Sequence, residues 1–330
     1  MIKSKKLLSK RYAASQRKHE RQTGPRQESV DACPICGCKT AELIAEIDRE
    51  GYPCDTVICH KCDFVFNDTK IANPNSFYAT TWAEERWRDP YASFKMRTSL
   101  DSFSWRRHNF ILSETNGFFS KRRTVIELGC GDGCNLLPFH LTGHEVIGLD
   151  YNKRFLEPGL KAGMRLIEIS DGLPPDLPRA DMVMIVHALE HVKDLDTFIN
   201  QVFDFIAEDG LIYIEVPGIR GFNRINRDRK QVMGVNSSND FLGYLQYQHN
   251  FHFEAAHLKY LWSQYGFEVI YCDEFVRALL TQNNKVAKEV LPSKENSISD
   301  YLRDLEADYR SFPNYLRRFL RYISRKVGAF

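Results

Sequence analysis

Apolar residues in the second half of the chain fall into short runs separated by helix-spaced stretches. "RTVIELG" (123–129) is a buried-strand run, and "NLLPFHL" (135–141) begins a helix. "HEVIGLD", "MRLIEIS", "ADMVMIVHAL" and "LIYIEVPG" predict four more strands, and "FEVIYCDEF" (267–275) a further one. "TFINQVFDFIAEDG" (197–210) has apolar positions at helical spacing with Gly210 as its stop, and "FEAAHLKYLWSQYGF" (253–267) is a second helix. Strands alternating with helices predict an α/β fold with a doubly wound sheet and parallel crossovers.

The pattern changes outside that region. Residues 1–30 are rich in Lys and Arg and predict a basic flexible tail. Residues 31–68 hold two cysteine pairs. Residues 69–122 are aromatic-rich and mostly helical, a connector serving as cofactor and substrate lid. Residues 123–280 form the core. Residues 281–330 are a C-terminal basic helical extension, in which "YLRRFLRYISRKVGAF" sets an apolar stripe among five basic residues. That helix reads either as packed on its domain or as lying on a membrane surface or a partner. A net charge of +2 argues against nucleic acid as the main partner. No apolar run reaches the ~18 residues of a membrane span, and the N-terminus lacks the apolar stretch of a secretory signal. The expected location is the cytoplasm, with peripheral contact at the inner face of the membrane.

Glu127-x-Gly129-x-Gly131-x-Gly133 follows the first strand, where ligands bind in open α/β sheets. Glycine there lets the backbone turn and approach a ligand, and the next helix offers free N–H groups. The spacing is not the dinucleotide fingerprint, and no Walker lysine follows. Asp150 ends the second strand, where a carboxylate accepts both hydroxyls of a ribose.

These motifs resemble the class I S-adenosylmethionine-dependent methyltransferases. "ELGCGDG", "GLD", "SDGLP", "ADMVMIVHALEHVKD" and "GLIYIEVPG" occur in the family's order over about residues 105–275. The resemblance implies a Rossmann-like seven-stranded methyltransferase sheet. It places Gly129 and Gly131 against the methionine part of the cofactor, with Gly133 completing the loop. Glu127 would orient the loop or the amino group, and Asp150 would clasp the ribose. Tyr151 would cover the adenine, Asp171 would hold its amino group, and His187 would face the sulfonium.

Cys33-x2-Cys36 and Cys59-x2-Cys62 are two knuckles that can present four thiolates to one tetrahedral ion. Structural zinc is the leading reading, with a redox pair or an iron–sulfur cluster as alternatives. Four thiolates leave no open position for catalysis. Cys38, Cys54 and His60 are spare ligands nearby.

A small N-terminal four-cysteine zinc module, then "NPNSFYATTW", then this core resembles the bacterial sugar and surface-polysaccharide methyltransferases over residues 31–275. The chain departs from the deoxysugar C-methyltransferases in having only about 55 residues after the last core strand. "YQHNFHF" lies where that group carries His-Glu-His-x-x-Tyr-Phe, which puts His249 on the basic histidine and Gln248 on the glutamate. The lost carboxylate favours O-methylation of a sugar hydroxyl over C-methylation. His191 in "HALEH" is a second candidate base. Tyr78 matches a tyrosine over the active site, and His252 packs beside Phe251 and Phe253 near the acceptor. Arg224 belongs to a long basic segment with Arg220, Arg227, Arg229 and Lys230 that reads as a phosphate-binding loop or a solvated one. The expected acceptor is a sugar or glycan, with a membrane surface or glycan-assembly protein at the basic termini. An RNA methyltransferase and a non-enzymatic scaffold are the readings from other classes.

Overall fold

A computed structural model describes residues 1–4, 7–8, 27–49, 51–73, 77–78, 89–170, 172–221, 240–274, 276–283, 285, 287–292 and 297–327. The chain divides into two compact units, and these do not follow the linear order of segments read above. One joins residues 1–70, 218–257 and 291–330, and the other joins 71–217 and 258–290.

The second unit is built on a seven-stranded sheet. Its strands are β1 (Thr124–Leu128), β2 (Glu145–Asp150), β3 (Arg165–Glu168), β4 (Ala180–Val186), β5 (Ile206–Glu215), β6 (Phe267–Cys272) and β7 (Arg277–Gln282). The spatial order is β6-β7-β5-β4-β1-β2-β3. Strands β1 to β5 pair in parallel, and β7 inserts antiparallel between β5 and β6. The central strands are buried on both faces, so they read as continuous apolar runs rather than alternating ones. Val125, Leu136, Phe139, Met182, Met184 and Tyr213 belong to one core cluster.

Helices α1 (Pro90–Arg97), α2 (Phe103–Glu114), α3 (Leu137–Leu141), α4 (Lys153–Lys161), α5 (Leu195–Phe205) and α6 (Ala255–Ser263) accompany these strands. α5 starts where the Asp194 carboxylate accepts from the Thr197 N–H at 2.8 Å, and it buries Ile199, Val202 and Phe205. It ends at Phe205, not at Gly210. Ile206 is extended and pairs with Ala180, and the register shifts before Leu211. A Cβ on Gly210 would lie 2.9 Å from the Ala207 carbonyl oxygen, so the glycine permits this irregular strand entry instead of stopping a helix. α3 is only five residues long, which removes the expected helix N-terminus as an anion site. Strand β7 escaped the periodicity reading because only Ala278, Leu279 and Leu280 are apolar in it.

In the first unit, five strands lie in the order Ile2–Ser4, Thr40–Ile47, Pro53–Cys59, Val65–Asn67 and Phe251–His252. The first of these comes from the expected flexible tail and pairs in parallel with Thr40–Ile47. Ile44, Ile58, Val65, Ile219, Ile298 and Leu302 are among its core residues. Asn67 is fully buried, and its side-chain amide donates to the carbonyls of Gln246 (3.3 Å), Tyr247 (3.4 Å) and His249 (2.9 Å). Helices α7 (Ile298–Arg310) and α8 (Phe312–Val327) complete the unit. Among the described residues, no helix is long and apolar enough to cross a membrane.

Candidate active site and metal centre

The glycine loop leaves the carboxyl end of β1 with three left-handed residues: Gly129 at φ 73°, Gly131 at 54° and Gly133 at 75°. Their surroundings differ. A Cβ on Gly129 would meet Ala188 Cβ at 3.0 Å, and one on Gly133 would meet Met164 and Leu166 at 3.0 and 3.1 Å. A Cβ on Gly131 would meet no atom of the described residues within 4 Å. The Gly129 and Cys130 N–H groups donate to the Leu149 carbonyl at 2.8 and 3.1 Å. The Gly131 N–H donates to Asp150 Oδ2 at 2.8 Å, and the Asn152 N–H to Oδ1 at 2.9 Å. Burial raises the Asp150 carboxyl above its ordinary range against the pull of these hydrogen bonds. Tyr151, next in the chain, is half-buried, and burial raises its phenol.

Three carboxylates gather near the ends of β1, β4 and β5. Glu127 is fully buried; its Oε1 accepts from Asn135 Nδ2 at 2.6 Å, and its Oε2 has no hydrogen-bond partner among the described residues. Burial pushes its carboxyl up to about 8. Arg107 of α2 donates to Asn135 Oδ1 at 2.6 Å and grips Glu215 with two hydrogen bonds of 2.7 and 2.8 Å. The Tyr213 hydroxyl donates to the same carboxylate at 2.9 Å. Burial would raise Glu215, but His187 and Arg107 hold it well below the usual carboxylate range.

His187 sits in a left-handed conformation, φ 52°, with Nδ1 3.6 Å from Glu190 and Nε2 3.5 Å from Glu215. Desolvation against its neighbours would lower its imidazole, although the side chain is 52% exposed, and the two carboxylates outweigh that and lift it to about 9. It therefore carries its proton at neutral pH. Glu190 is buried, and its Oε2 has no hydrogen-bond partner among the described residues. His191 Nδ1 lies 2.8 Å from the Tyr78 hydroxyl, and its Nε2 lies 3.8 Å from Glu190. Tyr78 is fixed at its other end, where its carbonyl accepts from Asn152 Nδ2 at 3.3 Å.

The expected cofactor residues Glu127, Gly129, Gly131, Gly133, Asp150, Tyr151 and His187 thus share one unit with His191 and Tyr78. Asp171 and Arg224 lie outside the described residues, as do Arg227, Arg229 and Lys230. His249 and His252 belong to the other unit, where both are buried with ring centroids 6.0 Å apart. Sequence reasoning missed Arg107, Asn135 and Glu215. The available signal was Glu215 itself, a charge closing the apolar strand "LIYIE".

The site fits S-adenosylmethionine on the structure's own features. Among the described residues, one oxygen each of Glu127 and Glu190 lacks a hydrogen-bond partner, which suits a cationic ligand, and the face of Gly131 beside Asp150 admits one without a Cβ in the way.

In the first unit Cys33, Cys36, Cys59 and Cys62 bring their sulfurs within 4.8 Å of one another. Cys33 lies 3.7 Å from Cys62, and Cys36 lies 3.5 Å from Cys59. A tetrahedron with metal–sulfur bonds of about 2.3 Å has edges of about 3.8 Å, so the cluster is already near the size of a zinc site. Each knuckle is closed locally. The Gly37 N–H donates to the Cys33 carbonyl at 2.9 Å, and the Asp63 N–H to that of Cys59 at 3.0 Å. Cys38 lies outside the cluster, with its sulfur 3.3 Å from Thr40 Oγ1, and Cys54 and His60 are not part of it. His257 is buried, and its Nε2 lies 2.7 Å from the Cys62 carbonyl oxygen.

A family model described as "Methyltransferase domain" matches residues 97–271, just over half of the chain. The ubiquinone biosynthesis O-methyltransferase of Vibrio cholerae is 28% identical over 173 residues, 50% of this chain and 65% of that protein. Its counterpart in Proteus mirabilis is 29% identical over 153 residues, 44% of this chain and 57% of that protein. The matched segments therefore span less than two thirds of these relatives, which are named for ubiquinone biosynthesis and not for sugars as the module order implied. Among solved structures, the plantazolicin methyltransferase with bound SAH is 14% identical, with a TM-score of 0.45, over 64% of this chain and 95% of that one. Magnesium protoporphyrin IX methyltransferase from Synechocystis gives 12% and 0.42, over 63% and 98%. With the glycine loop and the five parallel strands of its sheet inside the matched span, the chain belongs to the methyltransferase domain family, and residues 97–271 are an S-adenosylmethionine-dependent methyltransferase domain.

Proposed function

We propose that the protein is an O-methyltransferase that deprotonates an acceptor hydroxyl through Tyr78 and His191. The contact between the Tyr78 hydroxyl and His191 Nδ1 carries this reading. The bound cofactor supplies an electrophilic methyl group. As the acceptor oxygen attacks, its proton passes to the Tyr78 oxygen while the Tyr78 proton passes to His191 Nδ1. Glu190 then lies beside an imidazolium and balances its charge. His187 already holds its proton between two carboxylates and is a poor base at neutral pH. His249 stands as the competing base, on its match to the sugar-methyltransferase pattern.

The acceptor we propose is a sugar hydroxyl of a glycan or of its nucleotide- or lipid-linked precursor. The support is the cysteine-knuckle and "NPNSFYATTW" order ahead of the core. The names of the relatives favour a second reading, a quinone precursor. Purified protein with methyl-labelled cofactor would be offered nucleotide sugars, lipid-linked glycans and demethylated quinone precursors, and the products read by tandem mass spectrometry. Label on a sugar oxygen supports the first reading, and label on a ring hydroxyl selects the second. Label on carbon overturns O-methyl transfer.

The four-cysteine cluster we read as a structural zinc site. Its support is the four-sulfur geometry, and it leaves no position for a reacting ligand.

A further inference from the structure

The last two helices treat their apolar residues in opposite ways. α7 buries Ile298, Leu302 and Leu305 in the core of its unit. α8 carries Phe312, Tyr315, Leu316, Phe319, Leu320 and Ile323, and all six are exposed, from 41% for Leu316 and Ile323 to 73% for Phe312. Their spacing of i, i+3, i+4, i+7, i+8 and i+11 puts them on one stripe of the helix. Tyr315 and Phe319 stack on each other along it, with ring centroids 6.4 Å apart.

The rest of the helix sequence says what covers that stripe. Positions 317, 318, 321 and 325 are arginines and position 326 is a lysine, and residues 312–327 contain no Asp or Glu. Self-pairing helices set opposite charges beside an apolar seam. This helix offers only positive charge, which an anionic lipid surface complements.

We propose that α8 docks on an anionic membrane surface, lying in the interface with Phe312, Phe319, Leu320 and Ile323 toward the acyl chains and its arginines among the headgroups. The inference is independent of which acceptor is methylated.

The test uses the full chain with vesicles of phosphatidylcholine alone or mixed with phosphatidylglycerol, at about 0.1 and about 0.5 M salt. Co-sedimentation is expected to be about tenfold stronger on the anionic vesicles and to fall several-fold at the higher salt. Phe319→Asp combined with Leu320→Asp removes apolar area at exposed positions and should abolish binding. Melting temperature and cofactor affinity in this variant should stay as in the parent. Equal sedimentation on both vesicles, or undiminished binding by the variant, overturns the proposal. So does a parent dimer that the double variant turns into a monomer without any vesicle binding, because a second copy would then be the occupant.

Discussion

The Tyr78 hydroxyl lies 2.8 Å from His191 Nδ1, joining residues 113 positions apart. Asn152 holds the Tyr78 carbonyl, so the phenol is anchored at both ends. Tyr78→Phe and His191→Asn should each lower kcat by roughly 10²–10⁴-fold while leaving cofactor affinity intact. The double variant should be no slower than the worse single one, because the two groups serve one proton path. His249→Ala is the control: if it alone removes turnover and the Tyr78 and His191 variants do not, the base belongs to His249. Steady-state kinetics with isothermal titration of the cofactor separates these cases.

Glu127 gives a signature in stability. Its folded pKa of about 8 lies above the ordinary carboxyl value of 4.5. Between those values the native state binds more protons than the unfolded state, so stability falls as pH rises through that window and levels off above it. Glu127→Gln removes the dependence. Relative to this variant, the wild type should lose about 4 kcal/mol from pH 4.5 to 8. Parallel melting curves across the window would contradict the burial of an ionisable group there. Above that window, where Glu127 is ionised, the same variant should bind the cofactor at least tenfold more weakly than the wild type, having lost a negative charge that a cationic ligand would meet.

The glycines of the loop should separate by what they face. Gly131→Ala meets no atom of the described residues, so its stability cost should be only the left-handed backbone penalty of about 1–2 kcal/mol. Its cofactor affinity should drop by more than tenfold. Gly133→Ala presses on Met164 and Leu166 as well and should unfold at a lower temperature than Gly131→Ala. If Gly131→Ala binds cofactor normally, the face beside Asp150 is not the cofactor's path.

Metal content tests the cysteine cluster. Elemental analysis should find about one zinc per chain, lost in Cys59→Ser or Cys62→Ser. Chelation should release the metal and lower the melting temperature of the unit that contains it. Iron in place of zinc, or stability indifferent to chelation, would contradict a structural zinc.

What could be read from the sequence was local. Gly129, Gly131, Gly133 and Asp150 sit within a single strand–loop–helix–strand stretch, and each cysteine pair closes its own knuckle, so short spacing sufficed. Arg107, Asn135 and Glu215 escaped because their link is a hydrogen-bond chain between a helix, a loop and a strand end far apart in sequence. The end of α5 was misplaced because the apolar pattern of "FIAEDG" fits helix and strand alike, and only pairing with Ala180 decides it. The mixed origin of the first unit was invisible for a similar reason. Nothing near Ile44 or Ile58 announces that Ile298 and Leu302 complete their core.

That interleaving sets a timetable for synthesis. The cysteine knuckles and their first strands emerge by residue 67, whereas α7, which supplies Ile298 and Leu302, begins at Ile298. At about 5–20 residues per second, on the order of 10–50 s separates the two on the ribosome. Through that interval the knuckles can take up metal, while the part of the core that Ile298, Leu302 and Leu305 fill stays open.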